Sequence, residues 1–151
     1  TNLRIAVYER TNVSANVTAA GCYINDDSSL VSRPRSGGVS YGYVNSQYIP
    51  YTLPAADSRG YTVFSRNGAG AAESAGYKNG AAIVQVSSGT FGSSLANIAV
   101  YAGCRNNSGT PFDFRACYLG FVAVGASLLA AQELAQYNNV QAFATAVGAQ
   151  V

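Results

Sequence analysis

The sequence predicts a mainly β fold: an antiparallel β-sandwich or barrel of about seven to eight strands, followed by one or two short C-terminal helices. From Leu3 to about Gly103, apolar residues alternate at period two in short runs separated by turn residues. After residue 124 the apolar spacing changes to three or four residues, which indicates helix. The 151 residues suit a single domain, with a β core over 1–124 and a helical segment over 125–151.

The predicted strands follow one another with turn signals between them. The first strand begins at Leu3, and Asn67-Gly68 and Asn79-Gly80 both suit turns with positive φ. The glycine-rich stretch over residues 68–76 is expected to be a loop. Further strands are expected at residues 17–24, 39–44, 47–53, 61–65, 81–87, 95–102 and 117–124.

The C-terminal segment is predicted to be helical because apolar residues recur at helical spacing over residues 126–137. Asn138-Asn139 should end this helix, and a second short helix should follow. The segment could cap the β core or dock onto a neighbouring subunit. In either case we expect apolar burial to anchor it through Leu128, Leu129, Leu134 and Phe143.

Charge is scarce in this chain, at 11% of residues against the usual 25% or so. A surface built mainly from neutral polar residues leaves little repulsion between copies, which favours self-association or an extracellular setting. The net charge of +2 is too small to predict nucleic-acid binding. The longest apolar run, residues 116–131, is shorter than the roughly 20 residues of a membrane-spanning helix, so no transmembrane segment is predicted.

Three cysteines allow at most one disulfide within the chain. Cys104 and Cys117 bracket a turn-rich stretch, and a bond between them would stabilise the fold by about 3 kcal/mol. We therefore expect a Cys104–Cys117 disulfide and a buried free thiol at Cys22. The alternative is three buried thiols that behave as small apolar groups.

The absence of histidine excludes Ser-His-Asp and Cys-His catalytic sites. The cysteine spacing does not suit a zinc site, and the glycines do not form a phosphate-binding motif. No catalytic residue, cofactor or metal is predicted, and the protein is expected not to be an enzyme. A hydrolase that uses two carboxylates is the least favoured alternative, with candidates Glu9, Asp57, Glu73, Asp113 and Glu133.

Tyrosine and arginine are concentrated in the middle of the chain, and both residue types are enriched at interface hot spots. We predict an interface or ligand-binding surface there, although tyrosines of this kind also occur as ordinary strand residues in a core. The predicted site residues are Tyr41, Tyr43, Tyr48, Tyr51, Tyr61, Arg59 and Arg66.

These observations favour a non-enzymatic structural subunit that assembles with copies of itself into a filament, a pilus-like fibre or a viral capsid or tail component. Its expected location is extracellular, on a cell surface or in a virion. The alternative is a secreted, lectin-like glycan-binding module in which the tyrosines form a stacking surface for sugar rings.

Overall fold

Two β-sheets pack face to face, and a C-terminal helix covers the outer face of one of them. The computed structural model describes residues 2–25, 28–47, 53–68, 74–85, 90–92, 94 and 96–151. The strands are β1 (Asn2–Glu9), β2 (Ala20–Asn25), β3 (Ser28–Ser36), β4 (Val39–Val44), β5 (Ser46–Gln47), β6 (Leu53–Pro54), β7 (Gly60–Asn67), β8 (Ser74–Lys78), β9 (Ala81–Gln85), β10 (Thr90–Phe91), β11 (Tyr101–Ala102), β12 (Arg105–Asn107), β13 (Thr110–Phe112) and β14 (Leu119–Gly125), and the helix is α1 (Ala130–Ala146).

The first sheet has the order β14-β1-β7-β8-β9, and all its neighbours are antiparallel. Strand β1 lies inside this sheet and is apolar on both faces. Ile5 and Val7 belong to the core between the sheets, whereas Ala6 and Tyr8 belong to a second core beneath the helix. Alternate side chains of this strand therefore pack into two apolar layers, one on each face of the sheet.

The second sheet has the order β13-β12-β2-β3-β4-β6, with β11 also paired to β2. It approaches the first sheet closely at Gly42, where an added Cβ would lie 2.0 Å from the ring of Phe64. A separate two-stranded pair joins β5 to β10. At the position of Gly42, only a glycine leaves room for the Phe64 ring between the two sheets.

The predicted mainly β class is confirmed, and the two packed sheets form a sandwich with more strands than the seven or eight expected. Asn79 and Gly80 both have positive φ, at 50° and 77°, in the turn between β8 and β9, as predicted. At the other predicted turn, Gly68 has a φ of 148°, but Asn67 is the last residue of β7 and does not have a positive φ. The loop expected over residues 68–76 is wrong at its end, because β8 begins at Ser74. Strand β3 was not predicted, since its sequence is polar and contains Pro34.

The C-terminal segment contains one continuous helix among the described residues, so the predicted break at Asn138-Asn139 is wrong. The helix buries Glu133, Val140 and Ala144 against the first sheet. The predicted anchors Leu129, Leu134 and Phe143 are 64%, 47% and 62% exposed, and Leu128 is half-buried. The helix phase differs from the prediction because a buried glutamate occupies the inward face.

The predicted Cys104–Cys117 disulfide is wrong, because both cysteines are free in the structure. Cys104 is buried at the start of β12, while the Cys117 thiol lies beside the Glu9 carboxylate. Burial, together with the charge of Glu9, raises the pKa of Cys117 to about 11. Cys22 is buried and free, as predicted.

Candidate interaction surface

Most charged side chains in the described part of the chain are buried or half-buried, and five of the arginines form ion pairs with carboxylates. Among the described charged residues, only Arg10 and Arg59 are largely exposed to solvent. The ion pairs Glu9–Arg115, Arg4–Glu133 and Arg33–Asp113 are buried or largely buried. The described surface therefore carries even less charge than the composition suggests.

The helix is joined to the first sheet by a buried polar cluster. Arg4 Nη1 donates to Glu133 Oε2 at 3.1 Å and to the Tyr61 hydroxyl at 3.2 Å. Burial raises the pKa of Glu133, against the opposing effect of Arg4. Burial and the nearby Glu133 raise the pKa of Tyr61 to about 12, which keeps its hydroxyl protonated. The cluster holds the otherwise weakly apolar helix in one position.

A second buried pair ties an irregular segment to the core. Arg115 forms two hydrogen bonds to Glu9 and also donates to backbone carbonyls of Val13, Ala15 and Val17. Residues 10–19 contain no strand or helix, so hydrogen bonds from the Arg115 guanidinium satisfy backbone carbonyls that a neighbouring strand would otherwise pair. Little in the local sequence distinguishes Arg115, which is a charged residue between the aromatic Phe114 and the apolar Ala116.

The carboxylates offer no unpaired group for hydrolysis within the described part of the chain. Glu9, Asp57, Asp113 and Glu133 each form an ion pair with an arginine. Glu73 lies outside the described residues. The described residues include no group of three or more acidic or cysteine side chains that could hold a metal ion.

The first sheet ends in two open edges. Strand β14 is its terminal strand on one side and β9 on the other, and neither has an outer partner among the described residues. Their sequences, LGFVAVG and AAIVQ, contain no charged residue and no proline. Unpaired backbone groups on a strand of this kind are a template for another chain.

The second sheet protects its edges, in contrast to the first. Within the described residues its terminal strands β13 and β6 are three and two residues long, and they contain Pro111 and Pro54. Short strands and proline are the usual means by which a sheet edge avoids pairing with another molecule. Among the described residues, the first sheet therefore has edge strands suited to pairing with another chain, and the second sheet does not.

Strand β14 and the residues that lead into it carry exposed apolar side chains. Arg10 connects Tyr118 to the residues that follow the helix. Its backbone N–H donates to the Tyr118 carbonyl at 2.8 Å, and its guanidinium donates to the Gly148 carbonyl at 3.4 Å. Tyr118 and Val147, the neighbour of Gly148, are both exposed. Val124 of β14 is exposed as well, and exposed apolar residues elsewhere in the described chain include Phe112, Phe114, Leu129 and Phe143.

The predicted tyrosine and arginine surface is only partly assembled. Tyr61 and Arg66 lie on β7, inside the first sheet, and are buried, so they are not available to a partner. Their burial follows from the position of β7 between β1 and β8, under the helix on one face and the second sheet on the other. Tyr48 and Tyr51 lie outside the described residues.

The other predicted residues are accessible to different extents. Tyr41 and Tyr43 are half-buried and alternate with buried residues along β4, so they share the outer face of the second sheet. Arg59 is exposed and pairs with Asp57, with 2.6 Å between Nη2 and Oδ2. On the same outer face, the Arg105 guanidinium lies over the rings of Tyr23 and Phe112, 4.9 and 5.2 Å from their centroids.

Comparison of the chain with protein-family models, with curated proteins and with solved structures finds no match. The residues that the structure describes include no helix with the length and hydropathy needed to cross a membrane.

Proposed function

We propose that this protein is a non-enzymatic structural subunit that assembles with copies of itself through the edges of its first sheet. The observation that carries the proposal is the pair of open, uncharged edge strands, β14 and β9, at opposite ends of one five-stranded sheet. Pairing between them would extend the sheet from one copy to the next. The low surface charge supports the proposal, since copies would repel one another weakly.

Head-to-tail pairing of β14 with β9 joins two different surfaces, so the contact leaves a free edge on each new copy. Such a heterologous contact produces a ring if its rotation closes and an open fibre if it does not. Pairing of β14 with β14 of a second copy would instead produce a closed dimer. The fibre fits the proposed role in an extracellular or particle-forming assembly.

The test places a charge on each open edge. Ile83→Lys modifies β9 and Gly125→Lys modifies β14, where an added Cβ meets no atom within 4 Å. Ile24→Lys is the matched control, because Ile24 is 40% exposed, as Ile83 is 41%, but lies in β2, which has strands on both sides. Light scattering and negative-stain imaging should show polymers for the unmodified protein and Ile24→Lys, and small species for the two edge variants.

A mixture of the two edge variants distinguishes the modes of pairing. In head-to-tail assembly, Gly125→Lys retains a working β9 and Ile83→Lys retains a working β14, so the mixture should form dimers containing one copy of each. In β14–β14 pairing, Ile83→Lys alone should dimerise. A monomer at all concentrations for the unmodified protein would contradict self-assembly.

The glycan-binding alternative is supported by the aromatic outer face of the second sheet. Tyr41, Tyr43, Tyr23 and Phe112 lie on that face, and sugar rings stack on exposed aromatic rings. A glycan array should detect binding that Phe112→Ala weakens and that Phe114→Ala, a similarly exposed residue outside a strand, does not. Equal binding by both variants would contradict this alternative.

A further inference from the structure

The outer face of the second sheet carries a cluster of arginine and aromatic side chains. Arg105 of β12 lies opposite Phe112 of β13. Asn107, two residues further along β12, is paired with Tyr23 of β2. Residues two apart on a strand share a face, so Arg105, Phe112 and Tyr23 lie on the same side of the sheet. This side is the outer one, because Cys22, the neighbour of Tyr23, belongs to the core between the sheets.

Two arginines of this cluster share one carboxylate. Arg33 Nη2 lies 2.6 Å from Asp113 Oδ2, and Arg105 Nη2 lies 3.3 Å from the same oxygen. Within the described part of the chain, two positive charges therefore face one negative charge, which leaves an excess of one positive charge. The Arg33 side chain is 12% exposed and those of Arg105 and Asp113 are 16% exposed, so the cluster remains open to solvent at its outer edge.

Both guanidinium groups are held in fixed positions. Arg33 also donates from Nη1 to Asn16 Oδ1 at 3.0 Å. The Arg105 guanidinium lies 4.9 Å from the centroid of the Tyr23 ring and 5.2 Å from that of the Phe112 ring, within the range of a cation–π contact. Donors that are already ordered lose little freedom when a ligand binds, which favours its affinity.

Phe112 provides an apolar surface beside these donors, because it is 50% exposed. Sugar rings stack on exposed aromatic rings of this kind. A sugar ring with a carboxylate substituent fits the combination, since its carbon face can pack on Phe112 while its carboxylate accepts hydrogen bonds from the two guanidinium groups.

We propose that this face binds an acidic polysaccharide, with Arg33 and Arg105 binding the carboxylate of a uronic-acid ring and Phe112 stacking against the ring. The contact with Asp113 shows that the two guanidinium groups accommodate a carboxylate, and each has further N–H donors for a second one. This site, which rests on the glycan-binding alternative and adds the class of sugar to it, is independent of assembly through the first sheet.

The test compares three probes: trigalacturonate, which has sugar rings and carboxylates, maltotriose, which has neutral sugar rings, and triglutamate, which has carboxylates without sugar rings. Titration at low salt followed by NMR chemical shifts should show trigalacturonate binding at least about tenfold more tightly than either of the others. Its affinity should fall as salt is added, because salt screens the charge interaction.

Three variants test the roles of the residues. Arg105→Gln should weaken trigalacturonate binding at least about tenfold. Arg59→Gln is the matched control and should leave it unchanged, because Arg59 pairs with Asp57 at the start of β7 in the first sheet. Asp113→Asn should strengthen binding, since it removes the negative charge that competes with the ligand. A purely structural role of Asp113 would not produce tighter binding.

The melting temperature of each variant checks that it is folded. Equal affinity for maltotriose would overturn the preference for an acidic sugar while leaving the glycan-binding alternative in place, and equal affinity for triglutamate would indicate a site for acidic peptides instead. Weaker binding by a folded Asp113→Asn would also overturn the proposal. An absence of binding by all three probes would contradict both the proposal and the glycan-binding alternative.

Discussion

Glu9 and Arg115 form a two-point ion pair in the interior of the protein. The distances are 2.8 Å from Nε to Oε1 and 3.1 Å from Nη2 to Oε2, and neither side chain is exposed to solvent. The two residues are separated by 106 positions in sequence. The pair therefore connects the end of β1 to the segment that precedes β14.

Removal of one partner from this pair should be strongly destabilising. Glu9→Gln leaves the Arg115 guanidinium buried without its counter-charge, so the free energy of unfolding should fall by about 3 to 5 kcal/mol. Asp57→Asn, which breaks the exposed pair with Arg59, is the control and should change it by less than about 1 kcal/mol. Urea unfolding followed by circular dichroism measures both, and similar losses for the two variants would contradict the expectation.

The two faces of the helix should respond differently to truncation. Val140→Ala removes a buried side chain and should destabilise the monomer by about 2 kcal/mol. Phe143→Ala removes a largely exposed ring and should leave the melting temperature of the monomer nearly unchanged. A larger loss for Phe143→Ala than for Val140→Ala would show that the helix packs through its other face.

Stability should rise with pH in a window set by Lys78. Burial lowers the pKa of this ammonium group from 10.5 to about 8, although Glu9 and Asp57 oppose the change. Between these two values the unfolded chain binds more protons than the folded chain, so the free energy of unfolding increases as pH rises.

The control for this effect is Lys78→Met, which lacks the titrating group. Relative to that variant, the unmodified protein should gain on the order of 2 kcal/mol between pH 7 and pH 10. Urea unfolding at several pH values measures the difference between the two curves. If the free energy of unfolding of the unmodified protein, relative to Lys78→Met, stays constant or falls from pH 7 to pH 10, the lowered pKa of Lys78 is contradicted.

All three cysteines should be available for alkylation once the chain is unfolded without reductant. Mass spectrometry should then find three modified thiols, because Cys22, Cys104 and Cys117 are free. In the folded protein, modification of Cys117 should be slow at pH 8 and faster as pH approaches its pKa of about 11. One modified thiol in the unfolded chain would instead indicate a disulfide, and peptide mapping would show whether it joins Cys104 to Cys117.

The local patterns of the sequence predicted the class of fold and some of its turns. Alternation around Ile5 predicted β1, and Asn79-Gly80 predicted the turn before β9, because both depend on neighbouring residues. The break at Asn138-Asn139 was predicted wrongly, since contacts of Val140 and Ala144 with the sheet outweigh the weak helix propensity of asparagine.

The candidate surfaces depend on contacts that no local pattern contains. The burial of Tyr61 follows from the order of strands in the first sheet, and the open edge of β14 follows from the absence of an outer partner among the described residues. Each of these facts is a property of residues distant in sequence.

The different identities of the two edge strands would give any head-to-tail polymer a direction. One end would always display β14 and the other β9, so the two ends could grow at different rates and could be capped separately. Neighbouring strands rotate by roughly 20 to 25°, so a continuous sheet of five strands per copy would turn by about 100 to 125° from each subunit to the next. Such a fibre would repeat its orientation about every three subunits.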